Sequence, residues 1–313
     1  LEQKSIQVSV LGIGGCGGNI LADVYADLKD STTPITYRIM NTDVQALSFV
    51  MDRGFPKDFL TQIGGNATRG LGAGSNPDVG RSAAQEDITE IRSLVTGKDL
   101  VIVITGLGGG TGSGATPVIL KEAKEANALT MCCCVMPYSF ESAARNSIAK
   151  KALKEIAETC DAYLAVSNDA AESLVFKDVI KEINSSVSQG IQVTLDVLLN
   201  ASLVNLDFAD FTTVIKNGGK TYFSYACFDG DKRDEKIVKE LTRLKLYPGA
   251  SLKKIQRAVI FVRGGSDMRK EELKTIVNSI QEKLSEDVLV LMGVSVKESK
   301  STIEAAFVGV VGN

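Results

Sequence analysis

Residues 99–114 read DLVIVITGLGGGTGSG, Asp99 through Gly114. Asp99–Thr105 is a near-continuous apolar run, the pattern of a strand buried on both faces. Glycines at 106, 108, 109, 110, 112 and 114 then lead into a helical segment, Ser113–Ala126. Glycine lets the chain turn sharply and brings backbone N–H groups close to an anion at a helix N-terminus. Each glycine also costs unfolded-state entropy, so a turn serving structure alone would not need so many. The segment therefore reads as a strand, a phosphate cradle and a helix.

Upstream, Ile6–Gly12 reads as a strand and Gly17–Leu28 as a helix. Between them stands Gly12-Ile-Gly14-Gly15-Cys16-Gly17-Gly18-Asn19. Gly12, Gly14 and Gly17 fit the G-x-G-x-x-G fingerprint, and Asp43 closes a further strand, Thr36–Asn41. Alone, this loop would suit an NAD-dependent Rossmann oxidoreductase. Two glycine loops at the carboxyl ends of strands in one sheet suit a polyphosphate held from two sides. A third glycine-rich segment, Thr68–Pro77 (TRGLGAGSNP), suits a loop that orders over a terminal phosphate. Gly219-Lys220-Thr221 ends like a Walker loop, but residue 214 is valine and the stretch enters a strand, so it is rejected.

Downstream, Leu129–Met136 and Ala162–Ser167 read as strands around a helix at Glu141–Thr159. Alternating strands and helices imply a doubly wound, mostly parallel α/β domain over residues 1–175. Phe176, Ile180, Ile183, Val187, Ile191, Leu195 and Leu198 then recur at three- and four-residue spacing through about seven turns. This long central helix, residues 176–204, divides the chain. Beyond it, strands at Lys220–Phe228, Gln256–Arg263, Val288–Val296 and Ile303–Val311 surround helices at Lys232–Leu244 and Arg269–Leu284. They make a smaller α+β domain over residues 205–313, with one helix layer on one sheet.

Composition narrows the chemistry. The 313 residues include 35 Lys+Arg against 38 Asp+Glu, a net charge of -3 that lacks the basic excess of a dedicated nucleic-acid binder. There is no histidine, which removes Ser-His-Asp and Cys-His pairs and His general bases. None of Cys16, Cys132, Cys133, Cys134, Cys160 and Cys227 forms a Cys-x-x-Cys pair. They read as reduced structural thiols. Glu2, Gln3 and Lys4 lead straight into the first strand without a signal-peptide pattern, and no apolar stretch reaches the ~20 residues of a membrane span. The expectation is a cytoplasmic protein with no direct nucleic-acid or membrane contact.

Taken together, these motifs resemble the tubulin/FtsZ family of GTPases, the FtsZ branch more closely than tubulin. Gly108–Gly114 (GGGTGSG) matches the tubulin signature. TRGLGAGSNP at Thr68–Pro77, NTDVQAL at Asn41–Leu47 and NLDFAD at Asn205–Asp210 are similar to FtsZ motifs and follow FtsZ order. The likeness runs from Ile6 to Gly312. It implies binding of GTP or GDP, with Mg2+ and a monovalent cation as candidate ions but no protein ligands named for either. It implies head-to-tail self-assembly, with unidentified adaptor proteins as further partners. The terminal peptide by which FtsZ meets membrane adaptors is not found before Asn313, so those partners are not carried over. A plasmid- or phage-type relative that positions DNA is the alternative role.

Residue by residue, the resemblance places diphosphate contacts at Gly14, Gly15 and Cys16, and at Gly108, Gly109, Gly110, Thr111 and Gly112. Asp43 and Gly106 join the nucleotide site. Ala73 and Gly74 map onto the γ-phosphate loop, and Glu141 and Arg145 onto ribose contacts. Asn19 and Asn168 map onto base-reading positions, where an amide can both donate to and accept from guanine. Phe176 and Glu182 are the nearest candidates for stacking on the base and reading its donors, although their spacing departs from the family pattern.

Asp207 and Asp210, three residues apart, share a face if a helix starts at Asp207. Spacing alone favours an N-cap with a first-turn acid. The resemblance gives Asn205, Asp207 and Asp210 a catalytic role, completing the site of a neighbouring subunit by orienting an attacking water.

Overall fold

The computed structural model describes residues 6–29, 35–170, 176–199, 206–297 and 301–312. The chain opens with β1 (Val8–Ile13), α1 (Gly14–Leu28), β2 (Ile35–Asn41), α2 (Val44–Asp52), β3 (Leu60–Gln62) and the single turn α3 (Gly65–Thr68). It continues through α4 (Pro77–Glu86), α5 (Ile88–Val95), β4 (Leu100–Gly106), α6 (Gly110–Glu125), β5 (Leu129–Met136), α7 (Ala143–Thr159) and β6 (Ala162–Ser167). The long helix α8 (Phe176–Leu199) leads to α9 (Phe208–Ile215), β7 (Gly219–Phe228), α10 (Arg233–Arg243), β8 (Arg257–Gly264), α11 (Lys270–Gln281), β9 (Leu289–Val296) and β10 (Ile303–Gly312).

All ten strands join one sheet in the order β3-β2-β1-β4-β5-β6-β7-β10-β8-β9. The strands from β3 to β6 are parallel, as the alternation of strands and helices requires. The C-terminal strands are mixed: β10 is antiparallel to β7 and β8, and β8 is parallel to β9. Within the sheet, β6 joins β7 in parallel through Ala162 with Gly219 and Tyr163 with Lys220. The chain winds outward from β1 to β3 and then in the opposite direction from β4. The crevice between β1 and β4 is therefore the topological switch point, where open α/β sheets bind ligands.

β4 is apolar on both faces because both are covered. Val101 and Val103 pack with Cys132, Cys134 and Ile119, whereas Ile102 and Ile104 pack with Cys133, Leu164 and the α8 residues Ile183, Val187 and Leu195. The cysteines Cys132, Cys133 and Cys134 alternate between the layers as buried, unbridged thiols. In the C-terminal half, α10 packs against β7 and β10 while α8 and α9 cover the sheet's other side. The expected helix layer of α10 and α11 is thus joined by α9, which packs with the central helix α8 against the sheet's other side.

Several expected loops are helical. α1 begins at Gly14 and α6 at Gly110, three residues ahead of the sequence reading. α2, α4 and α5 lie in stretches read as loop or left unassigned. Their starts follow local chemistry: Asp43 caps α2, and Asn76 caps α4 ahead of Pro77 in its first turn. Among the described residues, no helix is long and apolar enough to cross a membrane.

Candidate nucleotide-binding site

α1 and α6 start at the carboxyl ends of β1 and β4 and open into one cleft of about 280 Å³. The glycines around it have two different jobs. A Cβ at Gly17 would lie 2.1 Å from the Ile104 carbonyl oxygen, and one at Gly112 would lie 2.3 Å from that of Gly106. Gly12 and Gly110 are similarly closed in. These glycines let helix and strand backbones touch, so the number of glycines overstates the number of ligand contacts. Gly15 and Gly109 differ: a Cβ there would meet nothing within 4 Å. Those two face the cleft.

The helix termini supply its electrostatics. Neither α1 nor α6 has a side-chain cap, and neither has an acid in its first turn. By contrast α2, α4, α7 and α9 are capped by Asp43, Asn76, Ser142 and Asp207. Two uncapped N-termini converging on one space leave backbone donors and two positive dipole ends for an anion.

Side chains complete the walls. Thr111 projects from the first turn of α6, its Oγ1 2.6 Å from the Thr42 Oγ1 at the end of β2. Glu141 and Arg145 pair at 2.9 Å along one side. The Glu141 Oε1 accepts from the Tyr138 N–H at 2.9 Å, and Asp169 accepts from the Ser139 N–H at 3.0 Å. These bonds fix the loop between β5 and α7. Gly108, at φ +96°, sits where a Cβ would strike Arg145 Cγ, and its N–H donates to Ser113 Oγ. Cys16 is half-buried in the α1 turn. Burial pushes its thiol up to about 11, against a weaker downward pull from Arg145. It stays a neutral thiol at physiological pH and adds no negative charge where an anion would lie.

Gly14, Gly15, Cys16, Gly106, Gly109, Gly110, Thr111, Gly112, Glu141, Arg145 and Asn168 all line this cleft. Ala73 abuts Gly110 at its rim, with Gly74 next to it at φ +54°. Asp43 Oδ1 accepts from the Gln45 and Ala46 N–H groups and caps α2, and its Oδ2 lies beside Gly72 of the third glycine loop. Asn19 accepts from Arg53 at 3.1 Å. Glu182 pairs with Lys245 of the C-terminal half. The Phe176 side chain and Asn205 lie outside what the structure describes. Thr42, Asp169 and Arg53 were missed from sequence, because their roles depend on partners 30 or more residues away.

Asp207 and Asp210 are exposed, with the Asp207 Oδ1 accepting from the Asp210 N–H at 2.7 Å. The N-cap geometry read from spacing is thus present. Their helix lies at the opposite edge of the sheet: Phe208, Thr212 and Lys216 share a depression with Asp99, Leu129 and Asp161 at the amino ends of β4, β5 and β6. Buried Asp161 anchors that edge, accepting from the Thr130 N–H, the Thr130 hydroxyl and the Asn217 N–H. β4 and β5 are 7 and 8 residues long, so about 25 Å of strand separates these acids from the cleft.

Among the described residues, no three His, Cys, Asp or Glu side chains gather into a metal cage.

Comparisons with known proteins give the family. Residues 7–175 match the model of the tubulin/FtsZ family GTPase domain. The chain is 32% identical to the cell division protein FtsZ of Aquifex aeolicus, covering 92% of this chain and 77% of that protein. It is also 32% identical to the cell division protein FtsZ 1 of Archaeoglobus fulgidus, covering 94% and 78%. The empty FtsZ dimer of M. jannaschii superposes with a TM-score of 0.88 at 26% identity, covering 98% and 89%. CetZ1 from Haloferax volcanii shares the fold, with a TM-score of 0.82 at 21% identity over 98% and 95%. With over half its length matched by the GTPase-domain model and most of it by FtsZ relatives, the chain belongs to the tubulin/FtsZ family of GTPases.

Proposed function

We propose that this protein is a polymerising GTPase of the FtsZ type, whose hydrolytic site is shared between successive subunits. One observation carries the reading: the uncapped ends of α1 and α6 face one edge of the sheet, and Asp207 and Asp210 stand at the other. A single molecule cannot bring those acids to a phosphate in its own cleft. A second copy stacked along the strand direction can.

On this reading residues 1–175 bind the nucleotide, residues 176–204 form the central spine, and residues 205–313 carry the catalytic loop at their start. The N–H groups around Gly14–Cys16 and Gly108–Gly112 would hold the α- and β-phosphates, with Thr111 Oγ1 as an added donor. Ala73 and Gly74 would face the γ-phosphate. Glu141 and Arg145 would take the ribose, and Asn168 and Asn19 the base. Mg2+ entering with the nucleotide would supply positive charge that offsets the phosphates held by Gly14–Cys16 and Gly108–Gly112.

The incoming Asp207 and Asp210 would orient and polarise the attacking water. Next to a phosphate, two carboxylates repel unless a water or cation intervenes, so keeping them on the far edge lets GTP bind first and makes cleavage wait for assembly. The FtsZ relatives are named for cell division, and that is the role proposed here.

The test is turnover per molecule against protein concentration, for the natural chain and for Asp210→Ala. The natural chain should show a rising specific rate. Asp210→Ala should bind GTP normally and turn over at least about a hundredfold more slowly. A rate independent of concentration, or an active variant, would refute the shared site.

A further inference from the structure

The sheet ends on β9, whose outer edge has no partner strand among the described residues. Its eight residues, LVLMGVSV, contain no charge and no proline, and its register with β8 runs without a bulge. Edge strands are usually blunted by such devices, because an open row of N–H and C=O groups invites another strand. Leu289 and Val296 at its ends are 43% and 38% exposed. Charges stand just beyond both ends, at Asp287 and Lys297, and both are exposed.

The Lys297 N–H donates to the Gly264 carbonyl at 2.8 Å. By strand alternation, the odd-numbered residues of β9 turn their polar backbone groups toward β8 and the even-numbered ones turn theirs outward. Val290, Met292 and Val294 therefore present the unpaired row. Consider a second β9 added antiparallel about a two-fold axis, the commonest symmetry of self-association. Centred on Met292, this pairing sets Val290 opposite Val294 through outward groups. It also sets Asp287 opposite Lys297 at both ends. Moving the centre by one residue destroys this match: Asp287 would then oppose Ser295 or Ser299.

We infer that β9 is a lateral docking edge for a second copy of this chain, paired antiparallel in the Met292-centred register. The contact uses the outer backbone edge of β9, whereas α9 packs on the face of β8 and β9 and the nucleotide cleft opens between β1 and β4, so the inference does not require the head-to-tail reading. If that assembly also forms, the edge recurs in every subunit, and individually weak contacts add along a filament.

Site-directed cross-linking tests this. Directly opposed residues of a hydrogen-bonded antiparallel pair lie about 5.5 Å apart at Cα, within disulfide reach. In a Cys227→Ser background, which removes the exposed native thiol, Met292→Cys should form disulfide dimers under mild oxidation in GDP. Val290→Cys and Val294→Cys should not link alone, since each lies roughly 13 Å from its own copy, but should link when mixed. Adding Asp287→Lys or Lys297→Asp should cut Met292→Cys linkage at least about fivefold by opposing like charges, and both together should restore it. The proposal is overturned if position 292 links no better than 290 or 294 alone, or if the double exchange fails to restore linkage. Because the assay needs no turnover, a failed GTPase test would leave its result intact.

Discussion

The hydroxyls of Thr42 and Thr111 lie 2.6 Å apart, tying the end of β2 to the first turn of α6. The contact holds Thr111 at the cleft wall, where its hydroxyl adds to the backbone donors around it. Thr111→Val should keep the fold and weaken GTP binding about tenfold, the cost of one hydrogen bond to a charged group. Thr42→Val should have a smaller effect in the same direction, since it only orients Thr111. Equilibrium titration with a fluorescent GTP analogue measures both.

The two kinds of glycine predict opposite phenotypes. Gly17→Ala forces a methyl group to within 2.1 Å of the Ile104 carbonyl oxygen, so it should destabilise the protein by about 3 kcal/mol or more. Gly15→Ala meets nothing within 4 Å and should leave the melting temperature nearly unchanged while weakening nucleotide binding. Thermal denaturation and titration on both variants separate the packing role from the binding role.

The strand-helix order, both glycine loops and the long central helix were legible because they rest on local signals: apolar runs, glycine placement and a 3.6-residue period. What escaped depended on distance. α4 is mostly polar and packs through Gly80, Ala83 and Ala84, so no apolar stripe announced it. The packing glycines looked like ligand glycines because a close backbone approach leaves the same mark as a phosphate. Glu182 is paired with Lys245, a fact that depends on a tertiary partner, whereas the Asp43 cap of α2 rests on N–H groups two and three residues on, a local signal.

In the C-terminal half, buried Arg233 donates to Asp267, Glu272 and the Ser301 carbonyl, joining the starts of α10 and α11. The hydrogen bond from Arg233 holds the Glu272 carboxyl below its usual range. A depressed folded-state pKa stabilises the protein above the unfolded carboxylate pKa, and that contribution is lost as pH falls through the folded value. Glu272→Gln should therefore cost about 2 kcal/mol at neutral pH. The gap from the natural protein should close on acidification below about pH 4. Urea denaturation across pH measures it.

Cys16 gives a second pH signature. With its thiol pushed up to about 11, maleimide labelling at this position should be slow at pH 7 and rise steadily toward pH 11. Bound GDP should suppress it, because the thiol lies in the cleft. Mass spectrometry of labelled peptides distinguishes Cys16 from exposed Cys227.

The most direct measurement of the shared site is complementation between two damaged copies. Gly109→Asp places a negative charge in the open anion cleft and leaves α9 intact, whereas Asp210→Ala removes an acid and leaves the cleft intact. Each should be nearly inactive alone. Mixed, they should recover GTP hydrolysis that rises with total concentration, because the cleft of one meets the acids of the other. If the mixture stays as inactive as its parts while both variants remain folded and Asp210→Ala still binds GTP, the two edges of the sheet do not cooperate between molecules.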